Sequence, residues 1–309
     1  AGATLTNMTT SPTPRDRFQG CLLGLAVGDA VGTAVEFKPR GTFQPLTDMV
    51  GGGPFGLKPG QWTDDTSMAL CLATSLIERQ GFDADDQMRR YTQWFRKGYL
   101  SSTGECFDIG NTVRAALERF AATGDPYSGS TDPHSAGNGA LMRLAPVPMY
   151  FARVVAEAEN HAVLSTRTTH AAEECLDASR LFSRLLIRAL QGADKEDVLL
   201  ADQAYGYATP ALGAIARGEY RAKSRDAISG SGYVVASLEA ALWSFDTTSS
   251  YRDAILTAAN LGEDADTTAA ICGQVAGAFY GVNGIPAEWL APLAMRAEIT
   301  ELADKLYGN

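Results

Sequence analysis

Glycine recurs at every fourth position (Gly20, Gly24, Gly28, Gly32) in the segment FQGCLLGLAVGDAVGTAVEF. Residues four apart lie on one face of a helix. Each glycine inside a helix costs about 1 kcal/mol relative to alanine. A stripe of four is therefore expected only where another backbone packs too close for side chains. Membrane helices use such small-residue faces. Here Asp29 interrupts the stretch, Glu36 follows it, and the segment reads as too short to span a bilayer. The expectation is a buried helix at the centre of a water-soluble protein, with Phe18, Leu22, Leu25 and Ala26 on an apolar face.

Helical periodicity continues along the chain, and convincing strand alternation is scarce. Met68, Leu72 and Leu76 form a second apolar face behind a Thr63/Asp64 start, and Val113, Ala116, Leu117 and Phe120 form a third. Further helices are expected over 153–165, 171–191, 195–206, 232–244, 251–261, 267–280, 286–291 and 297–307. Turn residues mark loops at 38–60, 101–104, 124–139 and 220–232. With no solenoid period and no dividing linker, the 309 residues read as one all-α domain over 14–309, a multi-helix bundle of roughly ten to thirteen helices. Residues 1–13 read as an unstructured tail or a cloning remnant, with Met8 the natural start.

Two acidic clusters fall at loop-to-helix junctions about two hundred residues apart: Thr63-Asp64-Asp65-Thr66 and Asp264-Ala265-Asp266-Thr267-Thr268. Each could merely cap a helix, since Thr and Asp are favoured there. A cap needs one such residue, however, and each cluster supplies two carboxylates and a hydroxyl. Like charges this close raise one another's pKa unless a cation lies between them. Oxygen-only ligands favour Mg²⁺ or Mn²⁺ over zinc or copper, and two half-sites point to one shared two-metal centre. The net charge of -10 argues against general nucleic-acid binding. It leaves room for a small phosphorylated ligand held by a metal or a local nest of N–H groups. Three histidines make a histidine-rich zinc site a poor fit. Five scattered cysteines without a CxxC pair read as buried free thiols in a reducing, cytoplasmic compartment.

Other constellations are weaker alone. Glu36 is either a surface residue or a carboxylate that ligates metal or exchanges a proton, and Asp29 has a structural alternative. Asp108, in CFDIGN, is an N-cap or a site residue. His134–Gly139 is a plain turn or a loop presenting N–H groups to phosphate, and His170 is structural or near a ligand.

Taken together, the chain resembles the ADP-ribosylglycohydrolase family. The matching segments are GDAVGTAVEF (28–37), GGGPFGLKPGQWTDDTSMAL (51–70), CFDIGNTVRAAL (106–117), SAGNGALMRLAPV (135–147), TTHAAEEC (168–175), GYVVASLEAALWSF (232–245) and NLGEDADTTAAICGQVAGAFYG (260–281). They occur in the family's order over roughly residues 15–285, and the WTDDT and DADTT pair is highly specific.

The resemblance implies an all-α fold with a binuclear Mg²⁺ or Mn²⁺ site at the bottom of a cleft. By motif the ligands would be Thr63, Asp64, Asp65, Asp264, Asp266 and Thr267, with Glu36 as ligand or acid/base. Asp65 and Asp266 would also serve catalysis, and Asp108 would lie near the scissile bond. Ser135, Gly137, Asn138, Gly139 and Met142 would line the ADP-ribose cleft, with His170 nearby and Tyr233 against the adenosine half. Glu263 would add negative charge if it points inward. The implied reaction releases ADP-ribose from a modified protein, from arginine above other acceptors. A metal-dependent nucleotide phosphohydrolase and a non-catalytic ADP-ribose-binding protein are the competing readings.

Overall fold

The computed structural model describes residues 10–309. Most of the expected tail, positions 1–9, lies outside the described residues. Thr13 already caps the first helix, exchanging bonds of 3.1 and 3.0 Å with Asp16. The architecture is all-α, with isolated bridges but no strand among the described residues. In chain order the helices are α1 (Pro14–Gly32), α2 (Asp64–Glu78), α3 (Ala84–Lys97), α4 (Asn111–Thr123), α5 (Pro146–Tyr150), α6 (Val155–Arg167) and α7 (Glu173–Leu190). They continue with α8 (Lys195–Leu200), α9 (Pro210–Ala216), α10 (Val234–Asp246), α11 (Tyr251–Ala259), α12 (Ala265–Tyr280), α13 (Ala287–Leu290) and α14 (Arg296–Tyr307). Five 3₁₀ turns join them.

The glycine stripe places α1 and α12 backbone to backbone, antiparallel. A Cβ built on Gly20 would fall 2.1 Å from the Gly277 carbonyl oxygen, and one on Gly24 2.4 Å from that of Gly273. One on Gly28 would lie 2.3 Å from the Ala269 oxygen, and one on Gly32 2.4 Å from the Ala265 oxygen. The stripe is reciprocal: Cβ atoms on Gly273 and Gly277 would fall 2.1 and 1.9 Å from the oxygens of Gly24 and Gly20. Tyr251 of α11 closes over the contact, donating its hydroxyl to the Gly24 carbonyl at 2.6 Å. The consequence reaches the far end of the pair. There the exit of α1, carrying Asp29 to Glu36, is set against the entrance of α12, carrying Asp264 to Thr267.

The length argument against a membrane span is corrected by the structure. Helix α1 and the 3₁₀ turn Thr33–Val35 form 22 residues that contain an 18-residue window of mean hydropathy 1.4, enough by length and composition to cross a bilayer. Burial is the relevant observation instead: 94% of the tested window is inside the protein. The helix packs on α12, α14 and α11.

The fourteen helices among the described residues exceed the expected count through short ones. Helices α5 and α9, of five and seven residues, each begin at a proline, where the fixed φ suits a first turn. The one long helix not anticipated is α3. Its signals were present: Asp83 accepts from the Asp86 amide, Gly98 ends the helix at φ 72°, and Met88, Tyr91 and Trp94 are buried. The expected helix over 195–206 stops at Leu200.

Candidate active site and metal centre

The entrances of α2 and α12 converge on the exit of α1, so both acidic clusters sit at helix N-termini, where the backbone dipole favours negative charge. Asp29 of α1 fixes that meeting. Its Oδ2 accepts from the amides of Thr63 (3.0 Å) and Thr66 (3.2 Å) and from the Thr66 hydroxyl (2.8 Å). Its Oδ1 accepts from the Thr63 hydroxyl at 2.8 Å. Asp29 thus caps α2 from another helix, and the structural alternative for this residue is the one observed. Thr63 stands at the N-cap position but makes no side-chain capping bond to a backbone amide of its own helix.

That arrangement has an electrostatic corollary. A threonine hydroxyl carries one proton, and the shortest contact assigns it to Asp29. The Thr63 Oγ1 lone pairs then face Asp65 Oδ1 at 3.3 Å and Asp266 Oδ2 at 3.0 Å. On the other side of the same two carboxylates, Asp65 Oδ2 and Asp266 Oδ1 are buried without any hydrogen-bond partner. Oxygen faces oxygen throughout, which calls for protons or a cation.

Asp266 is the hub. Carboxylate oxygens lie mutually within 4.8 Å in three sets that share it: with Asp29 and Asp65, with Glu36 and Asp264, and with Asp64 and Asp108. The first set is weakened as a cation cage because both Asp29 oxygens are already committed to α2. Hard oxygen donors crowded in this way fit Mg²⁺ or Mn²⁺. Burial, followed by neighbouring carboxylates, drives the pKa of Asp65 and Asp266 well above the ordinary range. Asp64 is raised well above it too, by burial and then by Asp108. Burial also raises Asp29 to about 7, against the bonds from Thr63 and Thr66.

Above this floor opens a cleft of about 740 Å³. Glu36, Asp64, Asp108, Asp264, Asp266 and Thr267 line its acidic side, with Gly137, Asn138, Gly139, Met142 and His170 opposite. No lining residue is Lys or Arg. Burial and then Asp266 raise Glu36 steeply, and burial lifts Asp108, on the same side of the cleft, to about 6.

Asn138 ties the two sides together. Its side-chain amide donates to Ser237 Oγ at 2.8 Å and to Asp264 Oδ2 at 2.9 Å. The idea that this loop presents a nest of N–H groups needs correction, because the amides of His134, Ser135, Ala136, Gly137 and Asn138 are all bonded within the protein. The Gly137 amide is bonded to the Ser135 carbonyl (2.7 Å) and that of Asn138 to the Gly232 carbonyl (3.0 Å). His170 lies directly beneath: a Cβ on Gly139 would fall 2.6 Å from its Cε1, so only glycine fits. Burial, then the nearby Arg143, lowers His170 to about 3, which keeps it neutral.

The remaining expected site residues fall elsewhere. Thr63 and Asp65 lie beneath the cleft floor, buried. Ser135 does not line the cleft and turns its hydroxyl to the Asp132 carbonyl at 2.7 Å. Tyr233, outside the lining and 42% exposed, donates its hydroxyl to Glu174. Glu263 does line the cleft, at its exposed edge. Sequence reasoning passed over Phe37, Ile109, Asn111 and Ser231 on the walls. Adjacency to Glu36, Asp108 and Gly232 was the available signal. All five cysteines are unpaired, with Cys106 the least buried.

An all-α bundle that gathers hard-oxygen donors from two helix N-termini at the floor of a cleft has the layout of a carboxylate-centred hydrolase. The chain belongs to the ADP-ribosylglycohydrolase family, whose sequence model it matches over residues 10–309, and it is an enzyme of that class. It is 47% identical over 294 residues to ADP-ribosylarginine hydrolase Tri1 of Pseudomonas putida (strain GB-1), covering 95% of this chain and 78% of that one. The Tri1 hydrolase of Serratia proteamaculans (strain 568) is 43% identical over 292 residues, 94% of this chain and 79% of its own. A solved structure described as an ADP-ribosylglycohydrolase-related protein complex superposes with a TM-score of 0.86 at 45% identity, over 96% of this chain and 98% of that chain.

Proposed function

We propose that this protein hydrolyses the N-glycosidic bond between ADP-ribose and an arginine side chain of a modified protein, using two divalent cations, Mg²⁺ or Mn²⁺. One observation carries the reading: Asp266 joins carboxylates from both acidic clusters around buried oxygens that have no partner. The two hydrolases that are 47% and 43% identical to this chain over the aligned residues act on ADP-ribosylarginine by name, which supports arginine as the acceptor.

Thr63, Asp64, Asp65, Asp264, Asp266 and Thr267 would hold the cations, with Glu36 in reach of the same centre. Bound there, they would supply Lewis acidity to ribose hydroxyls and lower the pKa of a water. The chain's own groups account for the rest. Cleavage at the anomeric carbon builds oxocarbenium character, and the carboxylate-lined floor favours positive charge at that point. Asp108 faces the departing guanidinium and can hold it by charge-assisted hydrogen bonds. Glu36, adjacent to both Asp266 and Asp108, is placed to carry a proton between water and leaving group. Asn138 keeps Asp264 aimed inward, and neutral His170 supports the opposite wall without adding charge. Five unpaired cysteines suit a reducing compartment, so we place the reaction in the cytoplasm.

The test is release of ADP-ribose from an ADP-ribosyl-arginine protein by the purified enzyme with Mg²⁺ or Mn²⁺. Free ADP-ribose and unmodified arginine are the expected products. Release of inorganic phosphate instead would support phosphohydrolase chemistry, and binding without turnover would support a non-catalytic role; either sinks the proposal.

A further inference from the structure

Three phenylalanines from two loops, Phe37 and Phe55 from the connection between α1 and α2 and Phe107 from that between α3 and α4, meet at the edge of the cleft. Phe37 and Phe55 stand edge to face with ring centroids 6.3 Å apart, and Phe55 and Phe107 lie 5.0 Å apart at 51°. Phe37 is 62% exposed and lines the cleft. Its backbone is also unusual. Phe37 has φ 67°, the left-handed region that disfavours a side chain, as do Glu263 (57°) and Asp108 (63°) on the same cleft. Reciprocal backbone bonds hold the first pair: the Phe37 amide to the Glu263 carbonyl at 2.7 Å, and the Glu263 amide to the Lys38 carbonyl at 2.8 Å. An exposed ring in a strained backbone, pinned from both sides, is poorly explained by stability.

Position supplies an explanation. Phe37 directly follows Glu36 and Phe107 directly precedes Asp108, the two carboxylates assigned to the leaving-group side, and Phe55 bridges the two rings. Acidic groups flank the strip, Asp108 within and Glu263 at the rim. Aromatic faces bordered by carboxylates attract a guanidinium and its alkyl stem through cation–π contact and charge. We infer that Phe37, Phe55 and Phe107 form the acceptor-side platform, which seats the arginine-bearing segment of the modified protein as it enters the cleft. This rests on the arginine reading above and adds to it the surface that recognises the protein half of the substrate.

The experiment compares wild type with Phe37→Ala and Phe37→Tyr, all metal-loaded, on an ADP-ribosyl-arginine protein, with inhibition by free ADP-ribose measured alongside. Because Phe37 is exposed, the alanine variant is expected to fold normally. The expected result is a KM raised about five- to tenfold in Phe37→Ala, a size typical of one cation–π contact. Its kcat and its ADP-ribose inhibition constant stay within about twofold, and Phe37→Tyr behaves as wild type. An unchanged KM overturns the platform. So does a parallel loss of ADP-ribose affinity, which would assign the ring to the nucleotide half, or a dimer in solution that Phe37→Ala dissolves. Failure of wild type itself to release ADP-ribose from arginine would instead sink the underlying reading.

Discussion

A single carboxylate can be both the worst-placed residue for stability and the best-placed for chemistry, and Asp266 is that residue here. Fully enclosed, it faces Asp65, Thr63 and Glu36 with one oxygen unpartnered. Removing it should relieve repulsion while destroying the cation cage. Asp266→Ala is therefore expected to abolish ADP-ribose release and to raise the melting temperature of the metal-free protein by a few degrees, from a gain of about 1–2 kcal/mol. Calorimetry beside the release assay checks both halves; a large drop in melting temperature would show Asp266 to be a structural residue. Asp29 makes the contrast. It is as deeply buried, but four donors from α2 satisfy it. Sequence alone left that difference open, because both residues are aspartates beside a helix terminus, and only their partners separate them.

Among the elements, the α1/α12 pair matters most, because it converts a glycine spacing into a distance between acids. Gly24 and Gly273 approach so closely that a methyl group on either would overlap a carbonyl oxygen of the other helix. Gly273→Ala must push the helices apart, at a cost of about 3 kcal/mol. The same shift should move Asp266 away from Asp65 and Asp29, so Mn²⁺ affinity, measured by titration calorimetry, is expected to fall with stability. An alanine variant that melts and binds as wild type would disprove the coupling. The stripe itself was legible, since it needs only a spacing of four and a helical period. Its partner was not, because Gly273 and Gly277 sit in a helix whose own sequence displays a smaller glycine pattern. Helix α3 was missed for a different reason: its charged faces obscured the buried Met88, Tyr91 and Trp94, although Asp83 and Gly98 marked both ends.

Over the whole molecule, stability and metal binding should be linked through protons. The raised pKa of Asp64, Asp65 and Asp266, with Asp29 near 7 and Asp108 near 6, means that the metal-free fold holds protons its unfolded chain has released. Their contribution is therefore favourable at low pH and is lost as pH rises from the ordinary carboxylate range through these folded values. A cation takes the place of those protons, so its stabilising effect must grow over the same window. Scanning fluorimetry with and without Mn²⁺ is expected to show a melting increment that is small at pH 5 and larger at pH 8; an increment independent of pH would place the cation elsewhere. What the sequence determined by itself was the all-α class, the glycine face, and two clusters with too many acids for capping, since each follows from periodicity or local charge. What only the tertiary structure decided was which acids crowd around Asp266, which one serves as a cap, and which rings gather beside the cleft. Those outcomes depend on distances of a few ångströms between residues far apart in the chain, and backbone packing sets them.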